Sequence, residues 1–247
     1  MPHKVAVYDA VGGPDVDNVK DMRPDPKDPT GKKQVWSGHT IDRTRAGKFT
    51  LKSAGSFVTK SWPMSRIPFG APLKVDPADK HNVLWKDKSG HWQSVRKTLN
   101  ITKPGDISEA IVAENDALSR RIGGKASRTM PASWPFNDFG HSAWYIFDSR
   151  GNRSDQLLHE TPENERQREL KKPIVLEHSH GCVHIDPAAV DEMVKKGYLA
   201  NGSKFVVHDY KTDLPNDAIG GRSAAAGTGH YVIHFFPKAG KIVVYRQ

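Results

Sequence analysis

The chain has a single cysteine, Cys182. A disulfide within one chain is therefore impossible, and the thiol has no structural covalent task there. Long apolar runs are missing too. Stretches such as Val243–Tyr245 and Ile174–Leu176 are short, far below the roughly 18 residues of a membrane helix. No membrane span is expected. The opening residues, Met1-Pro2-His3-Lys4-Val5-Ala6-Val7-Tyr8-Asp9, lack the apolar centre of a secretory signal. That leaves a trimmed chain, export by another route, or an internal location. The lysines and arginines are scattered and do not alternate with aromatics as a nucleic-acid groove requires, which argues against a nucleic-acid partner. No segment repeats at solenoid or propeller spacing.

What remains is ample for a folded protein. The chain has 247 residues, of which 36% are apolar, and a chain of this length buries most of its unfolded surface. Gly 21 and Pro 17 point to long loops. Lys and Arg number 37 against 28 Asp and Glu, a formal charge of +9, which suits a polyanionic partner such as an anionic cell wall or simply keeps the protein soluble.

Alternation and turn residues predict strands at Lys4–Val11, Lys33–Trp36, Lys48–Leu51, Phe57–Lys60, Val83–Lys86, His91–Val95, His141–Asp148, Gln156–His159, Ile174–Glu177 and Lys204–Val207. A C-terminal hairpin is expected from Tyr231–Phe236 and Lys241–Tyr245, within 230–247. Gly12–Lys32 and Thr212–Gly229 read as loops. Ile107–Ile122 reads as a helix, with Asp106 and Glu109 as a capping box, a stripe at Ile107, Ile111, Leu118 and Ile122, and Gly123-Gly124 as its stop. Thr161-Pro162 opens a polar helix, Glu163–Leu170, and Asp186-Pro187 opens another that runs to Lys196. The pattern is α+β, mostly β, with peripheral helices. Residues 1–247 read as a single domain, with 97–140 as a candidate inserted helical lid.

The chemistry concentrates in His178-Ser179-His180-Gly181-Cys182-Val183-His184. A nucleophilic thiol needs a proton acceptor and an electropositive setting to lower its pKa. Gly181 permits a tight turn and a close substrate approach. Backbone N–H groups in such a turn can converge on a developing oxyanion. Two other readings use the same residues. A lone cysteine is often a small buried hydrophobe, and four alternating ligands (His178, His180, Cys182 and His184) could share one strand face as a metal cluster.

Ser179-His180-Gly181-Cys182-Val183-His184 resembles the signature of the L,D-transpeptidase (YkuD-type) catalytic domain family. Leu157-Leu158-His159-Glu160-Thr161 is similar to the family's strand ending in a catalytic histidine, usually apolar-His-Gly-Thr. Thr44-Arg45-Ala46-Gly47-Lys48-Phe49-Thr50-Leu51 is similar to its early Thr-Pro-x-Gly-x-Phe strand. The resemblance runs from about Val5 to Tyr210, with insertions. It departs at Arg45 for the usual Pro, at Glu160 for the usual Gly, and in the gap of 23 residues from His159 to Cys182, longer than is usual.

The resemblance implies a β-sandwich-like fold and a cysteine nucleophile acting on peptidoglycan stem peptides. Cys182 would be the nucleophile and His159 the general base, with the strand-start His141 a weaker rival. The amides of His180, Gly181 and Cys182 would line the oxyanion hole. Ser179 would order the loop, and His184 stands where the family has Arg, Asn or His. A neighbouring histidine is expected to favour the thiolate. No cofactor is called for, peptidoglycan would be the partner, and the cell envelope the place of action. The polar helix Glu163–Leu170 and the 97–140 segment would narrow access to the cleft. The competing expectations are a Cys–His peptidase on other peptides and a non-catalytic metal-binding module.

Overall fold

A computed structural model of the chain describes residues 3–25, 28, 32–216 and 230–247. The expected loop at Thr212–Gly229 falls largely outside them. Thirteen strands are found among the described residues: β1 (His3–Val11), β2 (Val19–Pro24), β3 (Gln34–Ile41), β4 (Gly47–Gly55), β5 (Leu73–Asp76), β6 (Asp79–Lys86), β7 (Trp92–Ser94), β8 (Ala143–Phe147), β9 (Arg153–His159), β10 (Val183–Ile185), β11 (Lys204–Val207), β12 (Tyr231–Phe236) and β13 (Lys241–Arg246). The α-helices are α1 (Val95–Thr98), α2 (Ile107–Arg121), α3 (Pro162–Glu169) and α4 (Pro187–Lys195). The mostly-β expectation is met.

The chain divides into two compact units, one of Met1–Ser53, Trp144–Leu158 and Leu176–Gln247, the other of Ala54–Ala143 and His159–Val175. In the first, the strands close into a barrel in the order β1-β10-β9-β8-β4-β11-β12-β13. This corrects the sandwich-like expectation. The closing elements are the two strands of the C-terminal hairpin. β12 lies parallel to β11, Phe205 opposite Ile233, while β13 runs antiparallel to β1, Val7 opposite Val243. The hairpin therefore joins two strands instead of extending a free edge, and closure removes the unpaired edges that a sandwich must otherwise protect.

The interior follows from period-two alternation. Ile242 and Val244 of β13 enter the main core with Ala6, Ala10, Leu51, Leu158, Phe205, Ile233 and Phe235. Val243 and Tyr245 face the other way, onto Phe236 and Val7. On β1 the buried apolar positions are the small residues Ala6 and Ala10. Asp186 caps α4 by accepting the Ala188 N–H at 2.7 Å, and α4 inserts Ala189, Val190 and Met193 into the same core.

Two expected strands are irregular, Phe57–Lys60 and Ile174–Glu177, and the expected loop at Gly12–Lys32 contains β2. β2 pairs with β3 in a two-stranded sheet, Met22 opposite Trp36. In the second unit, β5, β6 and β7 form a three-stranded sheet. α2 begins where expected, with Asp106 Oδ1 accepting the Glu109 N–H at 3.0 Å. Its stripe, Ile107, Ile111 and Leu118, is buried with Ile67, Val83, Val95, Trp134 and Phe136 in a core belonging to that unit. The candidate lid is thus part of a folded body that already starts at Ala54. Among the described residues, no helix is long and apolar enough to cross a membrane.

Candidate active site

β10 is only three residues long, yet it aims the nucleophile. Val183 and Ile185 are fully buried in the barrel core, so alternation turns Cys182 and His184 to the opposite face. The turn before β10 is held at several points. Ser179 Oγ accepts the Gly181 N–H at 2.9 Å and donates to the Cys182 carbonyl at 2.5 Å. Thr44 Oγ1 donates to the same carbonyl at 3.3 Å and accepts the Gly13 N–H at 3.0 Å. Ser179 Oγ thus bridges two points of the turn. Its grip also directs the Gly181 N–H back into the turn, so that amide does not point outward as the resemblance implied.

Gly181 has φ +126, and a Cβ there would lie 2.6 Å from Gln156 Nε2. Only glycine fits both the conformation and the space. Gln156 is itself fixed, accepting from the Arg45 N–H at 3.0 Å and donating to the Arg43 carbonyl at 2.9 Å. Gly13 packs on the turn from the other side; a Cβ on it would meet Gly181 Cα at 3.0 Å. Gln156, Thr44, Gly13 and Tyr210, whose hydroxyl donates to the Gly13 carbonyl at 2.5 Å, were not singled out individually from sequence. The Gly12-Gly13 pair and the Thr44 strand motif were the available signals.

Cys182 is partly exposed, and its Sγ accepts the Leu157 N–H at 3.3 Å. The thiolate is not favoured at rest. Burial pushes the thiol up to about 11, with the Asp155 charge adding to the rise and the Leu157 hydrogen bond only partly offsetting it. The expectation of a histidine-stabilised thiolate is not met: desolvation of the sulfur is the largest influence and the Asp155 charge works in the same direction.

The three histidines of the motif do different things. His184 Nδ1 donates to the Glu177 carbonyl at 2.8 Å, and burial pushes its imidazole down to about 4. It is neutral at pH 7, so it acts through a hydrogen bond and does not reproduce an arginine's charge. His178 Nδ1 reaches the Gly12 carbonyl at 3.2 Å. His180 Nε2 meets Asp21 Oδ2 of β2 at 3.1 Å. Burial works against the Asp21 charge, but hydrogen bonds from Ser37, His180 and Arg23 hold its carboxyl at about 2. The positive φ at Gly181 breaks the strand period that a shared ligand face needed. Among the described residues no group of three or more His, Cys, Asp or Glu is placed to hold a metal ion.

The second unit carries His159, the last residue of β9. His159 is 4% exposed, and its Nδ1 lies 2.5 Å from the Glu160 carbonyl. A carbonyl only accepts, so Nδ1 carries a proton, and in the neutral ring Nε2 is then the acceptor. Phe139 packs on this ring with centroids 4.9 Å apart, and Phe57 stands edge-on to Phe139 at 4.7 Å. His141 is exposed; its Nδ1 contacts Ser142 Oγ at 3.2 Å and its ring meets Phe69 at 6.3 Å.

Comparison with known proteins found a match to one family model, the YkuD L,D-transpeptidase catalytic domain, over residues 20–207. No curated protein and no solved structure gave a significant match. The matched span covers well over half of the chain and includes the Ser179–Cys182 turn, β9 and the strand that begins at Gly47, and on that ground the chain belongs to the L,D-transpeptidase catalytic domain family.

Proposed function

We propose that the protein is a cysteine acyltransferase acting on peptidoglycan stem peptides in the cell envelope. The Cys182 sulfur attacks the amide carbonyl between a meso-diamino acid, or a similar residue, and a D-amino acid. Because burial holds the thiol near 11, it is protonated at neutral pH. A base must take the proton as the S–C bond forms. His159 is assigned that role and returns the proton to the leaving amine. The amides of His180 and Cys182 are assigned to the oxyanion, while Gly181 serves by permitting the turn. The departing D-amino acid leaves a thioester on Cys182. An amine then displaces the sulfur to give a cross-link or an exchanged D-amino acid, or water does so to give a carboxypeptidase reaction.

The observation that carries this reading is the clamped Ser179–Cys182 turn, with its sole cysteine partly exposed, inside the matched family span. Purified muropeptides incubated with the protein should lose D-alanine or gain cross-linked mass. Cys182→Ala should abolish both while circular dichroism stays that of the parent. Full turnover by Cys182→Ala would end the assignment, and cleavage of unrelated peptides but not muropeptides would favour the peptidase reading.

A further inference from the structure

The residue after His159 is a carboxylate where the family resemblance leads one to expect glycine. Glu160 is 1% exposed, and a carboxylate so buried is costly unless it is held. Ser142 holds it. The Ser142 N–H donates to Glu160 Oε2 at 2.8 Å, and the Glu160 N–H donates back to the Ser142 carbonyl at 3.4 Å. Residue 160 is thus gripped through both its side chain and its main chain by one neighbour.

The surroundings are fitted to that side chain. Gly140 has φ +61, and a Cβ on it would lie 2.7 Å from Glu160 Cβ and 3.0 Å from its carbonyl carbon. A glycine at 140 accommodates the non-glycine at 160. Just beyond, Thr161 Oγ1 caps α3 by accepting the Asn164 N–H at 3.2 Å, which fixes the chain on the far side. Between these anchors sits the carbonyl that accepts the His159 Nδ1–H.

We propose that Glu160 is a positioning residue for His159: its Ser142-held carboxylate locks the carbonyl that selects the Nδ1–H tautomer and keeps Nε2 as the proton acceptor. The inference rests on the reading of His159 as the base. Its geometry lies wholly among residues 139–142 and 159–164. The Nδ1–H form is the less favoured tautomer of free histidine, so its selection needs a fixed acceptor of this kind.

The imidazole 15N spectrum of the full chain reads this directly, with the His159 signals assigned by their loss in His159→Gln. Wild type should show Nδ1–H. Glu160→Gln keeps an acceptor of the same length for the Ser142 amide and should keep the tautomer and most of kcat. Glu160→Asp keeps the charge but is one methylene too short. It should show mixed tautomers and lose about tenfold or more in kcat on muropeptides, with KM little changed, as a misplaced catalytic group does. Glu160→Ala should behave like Glu160→Asp. A pure Nδ1–H signal in both Glu160→Asp and Glu160→Ala would overturn the proposal. So would a Glu160→Gln variant that loses the tautomer while Glu160→Asp retains it, since charge and not reach would then matter. A wild type that turns over no muropeptide, with the tautomer responding as described, would count against the acyl-transfer reading and uphold the positioning role.

Discussion

Cys182 and Gly181 show how a single position is set by conflicting demands. The sulfur must be buried enough to meet substrate away from water, and that burial raises the thiol to about 11. A resting thiolate of the ion-pair kind would alkylate at a rate that levels off near neutral pH. Here the iodoacetamide rate should keep climbing past pH 9, and a plateau below pH 8 would show that the imidazole–thiolate pair exists at rest. Gly181 faces a different constraint. Its φ of +126 and the Gln156 amide 2.6 Å from any added Cβ mean that Gly181→Ala must shift either the turn or Gln156. Strain of this kind costs on the order of 1–3 kcal/mol. The shift would also move Arg43 and Arg45, which Gln156 holds. Gly181→Ala should therefore lower both the denaturation midpoint and turnover; wild-type values for both would show that the turn tolerates a side chain. A serine at this position tests nothing further, since its Cβ is the same.

Among the elements, α2 was legible because its signals are local. Asp106 caps it and the stripe Ile107, Ile111 and Leu118 is buried, both as the spacing indicates. The two contributions should differ in size. Asp106→Ala removes one cap, about 0.5–2 kcal/mol; Leu118→Ala opens a cavity at a fully buried site, about 2–5 kcal/mol. Urea titration of the two variants should rank them in that order, and equal losses would mean that the site collapses around the missing side chain. The misread elements have a common cause. Ile174–Glu177 has strand-like composition, but α3 takes its backbone: Asn164 Nδ2 donates to the Val175 carbonyl at 2.9 Å and Gln167 Oε1 accepts the Val175 N–H at 3.1 Å. At Phe57–Lys60, Asn137 Nδ2 donates to the Phe57 carbonyl at 2.9 Å. Side-chain amides from outside each segment, α3's Asn164 and Gln167 in one case and the far Asn137 in the other, take these backbone groups, and propensity does not register them. β10 was missed for the opposite reason. Three residues carry no period, and only their pairing with β1, Ala10 opposite Ile185, makes them a strand. The motif itself was readable, since its residues are contiguous; the Asp21 and Gln156 partners that steady it were not, since the chain brings them from far away.

At the scale of the whole molecule, barrel closure depends on strands from the two ends of the chain, β1 beside β13, a non-local pairing that no window of sequence displays. The same closure places histidines where protonation opposes folding. Just past the end of β11 and on β12, His208 Nε2 and His234 Nδ1 share a hydrogen bond of 2.9 Å, with His208 stacked on Phe236 at 4.0 Å and His234 edge-on to Tyr245 at 4.9 Å. One ring must donate and the other accept, so the bond fails if both are charged. Burial lowers both imidazoles, His234 to about 4 with His208 adding to its fall, and His184 likewise reaches about 4. A histidine lowered in the folded state binds its proton less well there than in the unfolded chain. Its contribution is complete above the unfolded value near 6.5 and is lost as pH falls from there toward 4. The formal charge of +9 would rise to +21 with all twelve histidines protonated, and self-repulsion works in the same direction. Each 1 kcal/mol lost lowers Tm by about 2–4 °C in a chain of this size, and His234 delivers less than its full shift because water reaches part of the ring. Tm should hold steady from pH 8 to 7 and fall between pH 6.5 and 4.5, and His234→Asn should flatten part of that fall. A Tm that stays level or climbs on acidification would show that the histidine pair accepts protons without strain.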